Sequence, residues 1–268
     1  MHRDLSPHRE NLLSHAIPDL RSASTQKACG SRLLRNSTNN RAAQPTESKR
    51  HQALGVTPQL IEANDWAGLA ALTRQASNIG IWQRALPERL VSWLDCLDPA
   101  SLPTATGHGT PEAVAEQLRE QIYQMPDESL ARADLAHDLT SLVQGWAELT
   151  GTRHCFAQLE VINVDLCTRF HTDMVGIRLL CTYRGPGTLW VPNQAVRRDR
   201  LGTPPTSPDD LVRDPTAIRQ IPQGAIALLK GDDFHPNHPG VVHRSPPVER
   251  EGLTRLLFRV DSHLGCSR

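Results

Sequence analysis

Aromatic side chains are scarce in this chain of 268 residues: five Trp, four Phe and two Tyr. Basic patches interleaved with stacking rings are therefore missing, which removes the usual platform for nucleic acid. No apolar run reaches the roughly 18 residues of a membrane span and no signal-peptide core is visible, so the sequence reads as soluble and cytoplasmic, with no membrane partner. The six cysteines (Cys29, Cys96, Cys155, Cys167, Cys181, Cys266) include no CxxC pair. That spacing suits reduced thiols and excludes both a disulfide scaffold and a Cys-based zinc module. Net charge is absent as well, 29 Lys and Arg being balanced by 29 Asp and Glu.

The balance is uneven along the chain. Residues 1–50 hold nine Lys/Arg against four Asp/Glu, so the remainder is acidic. This head is rich in Ser, Asn, Arg, Thr and Gln and has no apolar period, so it cannot bury enough surface to offset its ordering entropy. Residues 1–55 are expected to be a disordered basic head, and residues 56–268 a single folded domain. Asp4, Glu10, Asp19 and Glu47 speak against a transit peptide.

Hydrophobic periodicity sets the expected elements. Trp66, Leu69 and Leu72 recur at helical spacing after residue 57, residues 78–84 alternate like a short strand, and Pro87 opens a helix through Val91, Trp93 and Leu94. Residues 99–109, rich in Pro, Ser, Thr and Gly, read as a loop. Two further helices are predicted over 111–123 and 130–149, the second with a stripe of Leu135, Leu139, Leu142, Val143 and Trp146 and a terminating Gly151. Trp66, Trp82, Trp93 and Trp146 are assigned to helix packing. From residue 153 the period becomes extended, with strands expected at 156–161, 175–183, 188–191, 226–229 and 253–260. The fold class is therefore α+β: a mainly helical part, 56–150, packed on a jelly-roll core, 151–262. Residues 197–220 interrupt the strands as a long Pro-rich loop or lid, and the run Arg197-Arg198-Asp199-Arg200 within it reads as solvated.

Chemistry concentrates in Cys167-Thr168-Arg169-Phe170-His171-Thr172-Asp173 and, much later, Val241-Val242-His243. A His-x-Asp pair plus a distant His is the ligand set of the 2-His-1-carboxylate facial triad, which holds a divalent metal on one face and leaves the other open. Spacing of two on a strand would aim His171 and Asp173 to one side, with Cys167 sharing that parity. The bland alternative is a pair of hydrogen-bonded core histidines. His235 and His238 lie in Asp232-Asp233-Phe234-His235-Pro236-Asn237-His238-Pro239, whose prolines and carboxylates suit a turn leading into the ligand strand.

Residues 163–260 resemble the double-stranded β-helix core of the Fe(II)- and 2-oxoglutarate-dependent oxygenases. The pieces are His171-Thr172-Asp173, Gly185-Pro186-Gly187-Thr188-Leu189-Trp190-Val191-Pro192, Pro222-Gln223-Gly224-Ala225, His243 and Arg255, in that order. More narrowly, Arg169 to Asp173 followed by Arg178, Thr182-Tyr183 and Gly185-Pro186-Gly187-Thr188, together with Ile81-Trp82-Gln83-Arg84, resembles the bacterial domain-of-unknown-function family eighteen twenty-six. That family has no settled activity, so the narrower resemblance implies a kind of protein and not a reaction.

The oxygenase resemblance implies that His171, Asp173 and His243 bind iron and that Arg255, or alternatively Arg259, binds the distal carboxylate of 2-oxoglutarate through its guanidinium fork. The pattern departs at Leu257, where many such enzymes carry a hydroxyl that shares this carboxylate. Cys167, Arg178, Tyr183, Trp190, His235 and His238 are the candidate pocket residues. The implied activity is hydroxylation of an unidentified small-molecule or protein substrate. Two readings stand beside it: a zinc-dependent hydrolase using the same three ligands, and a non-enzymatic, cupin-like metal-binding or sensing module.

Overall fold

A computed structural model of the chain describes residues 60–74, 76–202, 210–236 and 238–262. The expected basic head, residues 1–55, lies outside the described residues. In chain order the elements are β1 (Leu60–Ala63), α1 (Trp66–Leu69), β2 (Ile79–Trp82), α2 (Glu88–Cys96), β3 (Ala105–Gly109), α3 (Pro111–Tyr123), α4 (Leu130–Thr150), β4 (Cys155–Ile162), β5 (Ile177–Arg184), β6 (Leu189–Val191), β7 (Arg219–Gln220), β8 (Ile226–Lys230), β9 (Val242–Arg244) and β10 (Arg255–Asp261), with short 3-10 turns between them. The architecture is mixed α+β, built on a seven-stranded sheet in the order β1-β2-β8-β5-β10-β4-β3 and a three-stranded sheet β7-β6-β9. No helix among the described residues is long and apolar enough to cross a membrane.

Alternation along the strands sorts side chains between two cores. Leu256, Phe258 and Val260 of β10, with Ile177, Leu179, Cys181 and Tyr183 of β5, face the helices. Leu257 and Leu180 face the opposite way and meet Trp190 and Val241 beneath the small sheet. On the helical side α4 lays Leu135, Leu139, Leu142, Val143 and Trp146 against the large sheet, and the Trp146 indole N–H donates to Ile177 O at 3.1 Å. Each such side chain contributes about 1.5–3 kcal/mol by leaving water. The helix starts at Ser129, whose hydroxyl accepts from Arg132 N–H, and stops at Gly151, whose φ of 67° places it in the left-handed region.

Two expectations for the first half are corrected. Residues 60–63 form a strand, parallel to β2, and the helix expected there shrinks to Trp66–Leu69, capped by Asp65 accepting from Gly68 N–H at 2.7 Å. Residues 105–109 are not loop but strand, because β4 offers a full antiparallel ladder to them; partner availability outweighs the low strand propensity of Ala-Thr-Gly-His-Gly. The other side of β3 is taken by α3. Thr106 N–H donates to Gln121 Oε1 (3.1 Å) and Gln121 Nε2 to Thr106 O (2.7 Å). Gln117 does the same for His108, at 3.1 and 3.2 Å. The part before residue 150 thus supplies the four α-helices and also three strands of the large sheet.

Within the segment read as a lid, Arg197 N–H donates to Leu211 O (2.8 Å) and Arg213 N–H to Ala195 O (2.7 Å), and its far end, Arg219–Gln220, is strand β7 and not loop. Its Arg198 is not solvated as expected: it donates to Gly240 O at 2.8 Å and to Asn193, and burial pushes its guanidinium down to about 10.

Candidate metal centre

His171 and His243 form an isolated antiparallel bridge. Their backbones exchange both hydrogen bonds, His171 N–H to His243 O at 3.0 Å and His243 N–H to His171 O at 2.9 Å. Directly paired residues of an antiparallel ladder point to the same face, and the ring centroids lie 4.7 Å apart. Each ring turns Nδ1 to the carbonyl two residues back, Arg169 O at 2.9 Å and Val241 O at 3.0 Å. A carbonyl only accepts, so in the neutral ring Nδ1 carries the proton and Nε2 keeps its lone pair. Asp173 comes up to both: its Oδ2 is 3.1 Å from His243 Nε2 and its Oδ1 3.6 Å from His171 Nε2. Among the described residues these three offer ligand atoms within 4.8 Å of one another.

The expected strand through His171 and Asp173 does not form. Residues 163–176 are irregular apart from the single bridge, and Asp173 is held by other means. Asp232 N–H donates to Asp173 O at 2.8 Å and Gly231 N–H to Gly176 O at 2.9 Å. Arg178 Nη1 donates to Asp173 Oδ2 at 2.5 Å. Oδ1 is buried and takes no hydrogen bond. Burial alone would raise the Asp173 carboxyl, yet the two imidazoles beside it and the Arg178 guanidinium hold it well below the usual carboxylate range. Two imidazole nitrogens with free lone pairs and a buried carboxylate oxygen without a donor are the complement of a divalent cation of the Fe(II) kind.

Deeper between the sheets, Arg255 is 1 % exposed. Its Nη2 donates to Thr182 Oγ1 at 3.1 Å and to Thr188 Oγ1 at 2.6 Å, while Nε and Nη1 are buried without a partner. Burial pushes this guanidinium down to about 10, opposed only by the charge of Glu160. Both threonine oxygens accept from Arg255, so each hydroxyl hydrogen remains available to an anion. Position 257 is Leu, and the hydroxyls that lie beside Arg255 come instead from β5 and from the residue preceding β6.

The model of a family described as "Protein of unknown function (DUF1826)" matches residues 63–261. The chain belongs to this family. No curated protein matches it. Solved structures similar to it include the dioxygenase for auxin oxidation of rice, at 12% identity and a TM-score of 0.42 over 76% of this chain and 82% of that one. Another is the Arabidopsis thaliana dioxygenase for auxin oxidation 1 with 2-oxoglutarate, at 11% and 0.45 over 78% and 93%. A third is the Fe(II)/α-ketoglutarate-dependent dioxygenase TqaL, at 11% and 0.38 over 81% and 89%.

In this DUF1826 member the remaining candidate residues fall in different places. Trp190 is opposite His243 in register and faces the inter-sheet core. Arg178 touches Asp173 itself. Tyr183 is corrected: strand parity turns it to the helices, where its hydroxyl donates to Asp138 at 2.5 Å. Cys167 is exposed, with φ of 50°, because the strand that would have aimed it inward is absent. Arg259 shares a face with Arg255 but donates to Gln158 of β4 at 2.8 Å. His235 and His238 meet edge to face with ring centroids 5.7 Å apart, outside the three-ligand group, in the turn expected of them. Thr182, Thr188, Gly231, Asp232 and Asp261 were not singled out as site residues. Only Thr188, in the Gly-Pro-Gly-Thr turn, and Thr182 carried a sequence signal, as pieces of the family pattern without a role.

Proposed function

We propose that the chain is a non-haem Fe(II)- and 2-oxoglutarate-dependent oxygenase on a double-stranded β-helix, hydroxylating a substrate C–H bond. The observation that carries this reading is Arg255. A buried guanidinium with two unpartnered nitrogens costs several kcal/mol unless an anion meets it, and its neighbours Thr182 and Thr188 add hydroxyl donors. A planar carboxylate fits that set. The hydrolase and metal-binding readings rest on the three ligands alone and do not call for such a charge.

His171, Asp173 and His243 would hold the metal, the two imidazoles through Nε2 and the carboxylate through Oδ1. Bound there, iron supplies the redox chemistry that couples decarboxylation of 2-oxoglutarate to transfer of an oxygen atom from O2 into a C–H bond. Arg255, Thr182 and Thr188 would fix the far carboxylate of the co-substrate, orienting its keto-acid end away from the anchor. Leu180, Leu257, Ile162, Trp190 and Val241 pack together as buried apolar surface between the sheets, and such surroundings exclude water and strengthen charge pairing.

Anaerobic addition of 2-oxoglutarate to the Fe(II)-loaded protein should give a weak visible charge-transfer band, and air should then release succinate. Arg255→Gln should need about a hundredfold more 2-oxoglutarate for the same band, given the 2–5 kcal/mol cost of truncating one partner of a buried charge pair. Iron bound without any band would overturn the reading.

A further inference from the structure

We infer that Arg178 and Asp261 are positioning residues that fix Asp173 as a one-oxygen metal ligand; this rests on the metal-binding reading of His171, Asp173 and His243. Asp261 ends β10 and lies one step beyond the Leu179–Val260 pair, so it stands across the ladder from Arg178 of β5. One edge of the Arg178 guanidinium spends Nε and Nη2 on Asp261 Oδ1 and Oδ2, at 2.7 and 2.9 Å. That grip leaves Nη1 for Asp173 Oδ2 at 2.5 Å. All three side chains are nearly sealed from solvent, at 6, 1 and 3 % exposure.

The arrangement does more than join two strands. Asp173 sits on an irregular segment, so no ladder sets the direction of its side chain. Arg178 sets it. By occupying Oδ2 it leaves Oδ1 as the carboxylate atom without a donor, so a cation drawing on both oxygens would have to share Oδ2 with a charge-assisted hydrogen bond, and Oδ1 is the better ligand. Keeping a ligand to one oxygen keeps a further coordination position free for other molecules. Asp261 acts one step back, because a guanidinium held on two points has no freedom to swing away. Arg259 Nε, 3.8 Å from Asp261 Oδ2, approaches the same carboxylate from the outer side.

The test is metal affinity, measured with Co(II) and without 2-oxoglutarate, alongside thermal unfolding of each metal-free protein. Asp261→Asn keeps the shape and removes the charge that grips Arg178; Arg178→Lys keeps the charge and removes the fork. Both should weaken Co(II) binding ten- to a hundredfold, the usual effect of losing a residue that orients a ligand, and should change the visible Co(II) spectrum. Unchanged affinity with only a lower Tm would mean an ordinary buried ion pair and would overturn the inference while leaving the metal site standing. A wild type that binds no Co(II) would remove the metal reading, and this inference with it. Should neither variant fold, infrared spectra of the Co(II)-loaded wild type with isotope-labelled aspartate decide: a widely split carboxylate stretch is expected for one-oxygen ligation, and a narrowly split one overturns it.

Discussion

A missing side chain at Gly231 lets Asp173 reach its place. A Cβ there would lie 2.2 Å from Val175 O and 2.5 Å from Asp173 O, both backbone atoms of the ligand-bearing segment. Since carbonyl oxygens cannot yield as a flexible side-chain tip can, Gly231→Ala must push residues 173–175 away from β8. The protein should still fold, with its Mn(II) or Co(II) affinity reduced at least tenfold, as calorimetric titration would show; an alanine variant that binds as tightly as wild type would refute the close-approach argument. At this scale the sequence was informative wherever residue type is the signal. His171, Asp173 and His243 stood out because few side chains bind metal, and Arg255 because the oxygenase pattern marks a basic residue past the second His. Gly231 and Asp261 did not, since their roles exist only once β5, β8 and β10 lie side by side. Thr182 and Thr188 could not be placed beside Arg255, because the three meet only across strands.

Among the elements, α4 carries two kinds of adhesion on its buried face. Beside the apolar stripe, Asp138 receives both Nη atoms of Arg84, at 2.5 and 2.6 Å, and the Tyr183 hydroxyl. Arg84 follows β2 and its Nε donates to Gly224 O at 3.0 Å, so one carboxylate ties helix, sheet and turn together. Asp138→Ala would take the counter-charge from a mostly buried guanidinium and the acceptor from the Tyr183 hydroxyl. A loss of about 3 kcal/mol is expected, visible as a lowered urea midpoint with an unchanged slope; a loss below about 0.5 kcal/mol, the range of ordinary surface changes, would show that the cluster is solvated. The helices α3 and α4 and the strands β4, β5, β8 and β10 were legible because each is long or strongly periodic. β1 and β3 were not, as four or five residues of weak preference become strands only when a neighbouring ladder accepts them. The stretch from Cys167 to Asp173 failed in the opposite direction: its spacing of two suggested a strand, but only His171 found a ladder partner.

For the molecule as a whole, Lys230 ties stability to pH. It is 1 % exposed at the end of β8, its ammonium 4.2 Å from the centre of the Phe234 ring, and burial pushes its amine from 10.5 down to about 8. The unfolded chain holds that proton more firmly than the folded one. This group therefore costs most below pH 8, where the charge stays in the fold, and its cost shrinks as pH climbs from about 8 towards 10.5. Scanning calorimetry should show the Tm of wild type gaining on that of Lys230→Met between about pH 7 and 10, and a gap that does not move with pH would contradict the burial argument.

The glutamine pairs on β3 bear on what this molecule can join. An exposed outer strand is a template on which another chain can lengthen a sheet. A primary amide offers one donor and one acceptor side by side, as a peptide unit does, and Gln117 and Gln121 set two such units against His108 and Thr106. α3 thereby stands in for the next strand. Sheet growth from copy to copy on that flank must first strip four hydrogen bonds from a helix that is itself anchored in the core by Val114, Leu118 and Ile122.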